Sequence, residues 1–198
     1  MNIPLNHKIS CSSCDRTYPP SPNILSCRSC EAPLDVLYHK KFLPSACPMG
    51  WTGPDIPLPV AQQSDLITLG EGNTPIVKLK NSKGILPEHT YAKLEYQNPT
   101  GSFKDRGTAI MLSVLNTMGV TELVEDSSGN AGASISAYSA NCNIKAHIFA
   151  PETTPLLKMS QIRIYGAETY SIPGTRDDTT FASTDFAKEF SHIYASHN

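Results

Sequence analysis

Between Thr121 and Ser196, apolar runs of strand length alternate with longer runs of helical period, a rhythm that suits a mainly parallel α/β sheet. The strand-like runs are TELVED (121–126), KAHIFA (145–150), AETYSI (167–172) and HIYAS (192–196). Between them stand a predicted helix from about Asn130 to Cys142, then PLLKMSQIRIYG (155–166) and DTTFASTDFAKEF (178–190). Parallel neighbours joined through helices imply right-handed crossovers. In open sheets of this kind ligands sit at the carboxyl ends of the strands, and EDSSGNAG (125–132) lies at such an end.

Upstream, YAKLEY (91–96) alternates as a strand does. SFKDRGTAIMLSVLNTMG (102–119) follows, with Phe103, Ile110, Met111, Val114, Leu115 and Met118 at helical spacing. Ser102 and Asp105 have the spacing of a capping box at its start, and Gly119 is placed to stop it.

The amino-terminal part is built differently. Residues 1 to about 40 are polar and turn-rich and hold Cys11, Cys14, Cys27 and Cys30 as two Cys-x-x-Cys pairs. Two such knuckles facing each other close a tetrahedral thiolate site suited to zinc, and four protein ligands leave no position for water, so the site is expected to be structural. Cys47 and Cys142 stand alone and are assigned to packing. The proline-rich stretch within 41–63 is expected to be an extended linker, which divides the chain into a ribbon (1–40), the linker (41–63) and a larger domain (64–198), with about 121–198 as its smaller parallel-sheet subdomain. With 16 basic and 18 acidic residues nothing marks a nucleic-acid or anionic-membrane partner. No run approaches the roughly 20 apolar residues of a membrane span, and a cytoplasmic location is expected.

Two places could carry chemistry. Lys104 falls in the first predicted turn of its helix, where the dipole disfavours a cation and favours the neutral amine that attacks an aldehyde. The loop Ser127, Ser128, Gly129, Asn130, Ala131, Gly132 offers small residues at a strand-to-helix turn, where backbone N–H groups can receive a carboxylate or phosphate. On residues alone, a solvent-facing lysine and an ordinary helix-capping turn describe the same features.

EGNTPIVKL, LEYQNPTGSFKDRG and EDSSGNAGASISAYSA together resemble the signature blocks of the pyridoxal-phosphate enzymes of fold type II. The resemblance implies a three-layer sandwich with a mainly parallel sheet, here incomplete and preceded by a small zinc ribbon. It implies that Lys104 carries pyridoxal 5'-phosphate as a Schiff base, that Asn130 lies against the cofactor's 3-oxygen, and that the 127–132 loop receives the substrate's carboxylate. NPTGSFKDRG, with GNTP and a cysteine ribbon ahead of it, resembles the threonine synthases, which implies conversion of O-phosphohomoserine and water to threonine and phosphate. Lys104 would then also move protons at the α and β carbons, and Lys158 and Arg163 are candidates for the leaving phosphate or else solvated surface charges. Where related ribbons read Cys-Gly, this chain has Asp15 and Glu31, a departure that bears on the knuckle turns but removes no ligand.

The resemblance also implies parts beyond Asn198: a glycine-rich loop for the cofactor phosphate and a serine or threonine for the pyridine nitrogen. PGTRDD (173–178) is a poor substitute for the first. The chain is therefore expected to be a fragment of a longer enzyme that alone aggregates or binds cofactor weakly. The partner expected is a small amino-acid substrate, with room for a homodimer at full length. Alternatives are another fold type II enzyme, such as a threonine dehydratase or a cysteine or cysteate synthase, and a truncated, non-catalytic zinc-ribbon protein.

Overall fold

The computed structural model describes residues 7–39, 58–60, 63–80 and 83–195; Cys47 and most of the expected linker lie outside them. Three strands open the chain, β1 (His7–Cys11), β2 (Thr17–Tyr18) and β3 (Leu34–Tyr38), paired antiparallel in the order β2-β1-β3. A second antiparallel pair joins β4 (Ile76–Lys78) to β5 (Tyr91–Lys93), so YAKLEY is a strand only in its first half, and a 3-10 turn takes Glu95–Gln97.

The alternation downstream becomes a four-stranded sheet. β6 (Glu122–Glu125), β7 (Lys145–Pro151), β8 (Glu168–Ile172) and β9 (Ile193–Tyr194) are all parallel, in the order β8-β7-β6-β9. The helices between them are α2 (Asn130–Asn141), α3 (Leu156–Ile164) and α4 (Arg176–Glu189), and α1 (Lys104–Thr117) precedes the sheet. Because β-residues alternate faces, Leu123, Ala146, Ile148 and Ala150 meet α1, α2 and α3 on one side, where Leu112, Ile135, Tyr138 and Ile162 are buried. Val124 and Phe149 point the other way, to Ala187 and Phe186 of α4. The fold is α/β, with helices on both faces of a parallel sheet. Among the described residues no helix is long and apolar enough to cross a membrane.

Three local expectations are corrected. The Ser102–Asp105 capping box does not form: Ser102 Oγ accepts from the Lys104 N–H at 3.3 Å, while the fully buried Asp105 carboxylate turns to Thr100 and Ser134. Of the expected apolar face of α1 only Leu115 is buried; Phe103 and Met118 are exposed, and Asp105, Thr108, Ala109, Leu112 and Ser113 take the inner face. Small residues on both partners, Ala109 and Ser113 against the Ala/Ser-rich α2, let the two helices pack closely. Finally, α4 begins at Arg176, capped by Thr175, whose Oγ1 accepts from Asp178 N–H at 3.2 Å while Asp178 Oδ2 accepts from Thr175 N–H at 2.7 Å. The expected stop at Gly119 holds: at φ 75° it lets its own N–H reach Asn116 O and that of Val120 reach Leu115 O.

Candidate active site

The turn that carries Lys104 is held from below by carboxylates. Glu95 takes a two-pronged pair from Arg106, Nε to Oε2 and Nη2 to Oε1 at 2.8 Å each, and a hydroxyl hydrogen bond from Thr74 at 2.6 Å. The Arg106 hydrogen bonds, then that of Thr74, hold the Glu95 carboxyl down at about 2. Asn98, buried, donates to Glu95 O at 2.8 Å and accepts from Gly72 N–H at 2.9 Å. Asp105 accepts from the N–H and hydroxyl of Thr100 and, at 2.6 Å, from the Ser134 hydroxyl. Glu71 accepts from Tyr138 at 2.6 Å. The three blocks noted in the sequence, 71–79, 94–107 and 125–140, are thereby one hydrogen-bonded unit, and Gln161 of α3 joins it by donating to Thr100 O at 3.1 Å.

Lys104 itself is half-buried, with Nζ 5.4 Å from the centre of the Phe103 ring. Among the described residues no carboxylate forms an ion pair with it, which leaves the amine available for chemistry. Its charge is nevertheless felt by Glu125, the last residue of β6, which is 1% exposed and has no hydrogen-bond partner at Oε2. Burial, reinforced by the charge of Asp126, pushes the Glu125 carboxyl up to about 8, against the opposing effect of Arg176 and Lys104. Asp126, equally buried, is paired with Arg176 at 3.0 Å and with the Thr180 hydroxyl at 2.6 Å.

The 127–132 loop leads from this acidic strand end into α2. Ser127, Ser128 and Gly129 are half-buried, Asn130 is exposed at the first position of the helix, and Ala131 and Gly132 are buried beneath it. No side chain caps α2, so the first N–H groups of the helix remain free to meet an anion. Gly132 is required by space: a Cβ there would collide with the Ser127 carbonyl oxygen and crowd Ile162. Asp105 follows Lys104, and Ser134 stands one turn beyond Asn130, so their hydrogen bond ties the lysine turn to this loop. Arg163 donates to the Thr169 hydroxyl at 3.0 Å and Lys158 is exposed, so nothing draws these two together.

The four amino-terminal thiols converge. Sγ separations are 3.5 Å for Cys11–Cys30, 3.6 Å for Cys14–Cys27 and 3.7 Å for Cys14–Cys30, far longer than a disulfide bond. The N–H groups of Ser13 and Cys14 point at Cys11 Sγ, and Tyr18 Oη lies 3.0 Å from Cys27 Sγ. The Tyr18 hydrogen bond draws the Cys27 thiol down to about 6. The residues standing in place of the usual glycines, Asp15 and Glu31, have φ of 56° and 59°, so the knuckles keep the left-handed turn with side chains that resist it. Cys142 donates to Tyr138 O at 3.2 Å and packs against the core, as a structural thiol does.

Sequence reading missed Glu71, Glu95, Arg106, Glu125 and Tyr138. Glu95 and Arg106 lie inside the quoted blocks, but their pairing spans 11 positions and has no periodic signature.

A family model described as pyridoxal-phosphate dependent enzyme matches residues 67–198. A threonine synthase of Halalkalibacterium halodurans is 39% identical over 121 residues, 61% of this chain and 34% of the relative. One from Methanosarcina acetivorans is 32% identical over 183 residues, 87% of this chain and 44% of the relative. Among solved structures, a hydrogen sulfide-producing enzyme of Fusobacterium nucleatum aligns with TM-score 0.57 at 30% identity, covering 68% of this chain and 44% of that one. The chain thus spans between a third and a half of these relatives' length.

Proposed function

The chain belongs to the family of pyridoxal-phosphate dependent enzymes, and from this we propose that it is the amino-terminal part of an enzyme that converts O-phosphohomoserine and water to threonine and phosphate. The observation that carries the reading is the hydrogen-bonded unit of three blocks that holds Lys104 beside an uncapped helix start. The residues present fit the cofactor: an amine with no ion-paired carboxylate among the described residues, and the free N–H groups of an uncapped helix start.

Pyridoxal 5'-phosphate, when bound, supplies a sink for charge developing on the substrate's α carbon. Lys104 would hold the cofactor, and its amine would move protons at the substrate's α and β carbons. Asn130 offers its amide to the cofactor's 3-oxygen. Ser127, Ser128, Gly129 and the N–H groups of 130–132 would receive the substrate carboxylate. The groups that hold the cofactor's phosphate and ring nitrogen are assigned to the remainder of the enzyme.

The four thiols are assigned to a structural zinc ion. A tetrahedron of Zn–S bonds of about 2.3 Å has edges of about 3.8 Å, close to the observed sulfur separations. In this reading residues 1–40 are a zinc ribbon, 41–63 a linker and 64–198 part of the catalytic domain of a cytoplasmic enzyme.

The test uses the full-length protein, supplied with O-phosphohomoserine and assayed for both phosphate and threonine. Release of phosphate with another amino acid, or turnover only of other substrates, would reassign it within the family. Lys104→Ala separates the chemistry from the substrate: if the variant still holds cofactor in a borohydride-reducible link, the lysine assignment is wrong.

A further inference from the structure

Away from the lysine turn, at the amino-terminal ends of the strands, three side chains meet on the face covered by α4. Glu122 opens the central strand β6, His147 lies in β7 on one side of it, and His192 immediately precedes β9 on the other. Both imidazoles direct Nε2 at one carboxylate oxygen: Glu122 Oε2 is 2.8 Å from His147 and 3.6 Å from His192. The three ligand atoms lie within 4.8 Å of one another, and the two rings are nearly parallel, at 12°.

The polar contacts around His147 suit a metal ion at Nε2. Tyr170 donates to Glu168 Oε2 at 3.0 Å, and His147 Nδ1 lies 3.0 Å from the Tyr170 hydroxyl and 3.4 Å from Glu168 Oε2. A hydrogen on Nδ1 has both oxygens as acceptors, and in that tautomer Nε2 is the lone-pair nitrogen. That lone pair then faces Glu122 Oε2 at 2.8 Å, an arrangement a cation between the two atoms stabilises. A metal ion shared by His147 Nε2 and Glu122 Oε2 is such a cation.

His192 favours the metal. A second ring nitrogen aimed at the same oxygen completes a ligand set of two imidazoles and one carboxylate. The Tyr170–Glu168 pair on Nδ1 is the support that metal-binding histidines characteristically have, fixing the tautomer and the ring. Bonds of about 2.0–2.1 Å in a tetrahedral site give ligand edges of about 3.3–3.4 Å, a value bracketed by the observed 2.8 and 3.6 Å. Lys145 Nζ lies 4.0 Å from Glu122 Oε2 but is held by Glu168 at 2.9 Å, so it balances Glu168 and leaves the charge of Glu122 for an ion.

We propose that Glu122, His147 and His192 form a binding site for a divalent transition metal such as Zn2+ or Co2+, separate from the four cysteines and from the lysine turn. Three protein ligands leave a fourth position open, on the side where Glu122 and His192 are partly exposed.

The test is metal stoichiometry on tag-free protein, stripped with chelator, reloaded with Zn2+ and passed through a desalting column. Two equivalents per chain are expected, falling to one in His192→Ala and in Glu122→Gln. Both changes are at partly exposed positions, and an unchanged circular dichroism spectrum shows that the fold survives. Co2+ separates the two sites spectroscopically. The visible bands of the nitrogen–oxygen site should vanish in His192→Ala, and the intense thiolate bands of the cysteine site should remain. A stoichiometry that both substitutions leave unchanged overturns the proposal.

Discussion

Tyr138, in the last turns of α2, donates a 2.6 Å hydrogen bond to Glu71, and both residues are buried. Tyr138→Phe removes only the hydroxyl, while Thr68 and the Leu69 N–H still serve the same carboxylate oxygen at 3.0 Å. The loss of one hydrogen bond to a charged group should cost about 1.5–3 kcal/mol, read as a lower urea midpoint at constant slope. An unmoved midpoint would show that the pair contributes nothing.

Glu125 should make the protein weaker in alkali. Its carboxyl, ordinarily near 4.5, is pushed up to about 8 in the folded chain, so the folded state holds a proton that the unfolded state releases. Stability is then complete at low pH and declines as pH rises from about 4.5 through about 8, by up to about 1.4 kcal/mol for each pH unit of that window. Glu125→Gln, neutral throughout, should match the parent near pH 5 and exceed it near pH 9. Parallel stability–pH curves for the two proteins would refute the assignment.

At the cysteine knuckles, Asp15→Gly and Glu31→Gly should each stabilise by about 0.5–1 kcal/mol. The relief of a left-handed conformation outweighs the greater freedom glycine gives the unfolded chain. Thermal unfolding followed by metal release reads this directly, and a lower midpoint in either variant would contradict it.

Gly132→Ala and Gly129→Ala should behave oppositely. The first places a Cβ against the Ser127 carbonyl oxygen and should abolish uptake of pyridoxal phosphate by the full-length protein, followed by its fluorescence. The second meets nothing nearer than Ser127 Oγ at 3.9 Å and should bind normally. Equal binding by the two variants would mean that the loop is not part of the cofactor site.

The parallel sheet was legible because strand and helix periods differ enough to be read locally, and the Gly119 stop because left-handed backbone favours glycine. The Ser102–Asp105 spacing misled because Asp105 is claimed by Thr100 and by Ser134, 29 positions away. Hydrophobic spacing misplaced the inner face of α1 because close helix packing there uses small and hydroxyl side chains. Thr175-x-x-Asp178, inside PGTRDD, has the spacing of a helix start and forms the cap of α4. Glu125 and the Glu122–His147–His192 cluster carried no local signal, since burial and register create both.

The Glu71–Tyr138 clasp closes a loop of 67 positions over the lysine turn. Closing a loop that long costs chain entropy before any contact repays it, so the clasp forms with the whole sheet rather than ahead of it. As the chain leaves the ribosome Lys104 emerges well before Tyr138, and until α2 docks its amine hangs on an unbraced turn. The lysine turn is thus matured by folding order: a chain stalled before α2 carries Lys104 without the frame that braces it.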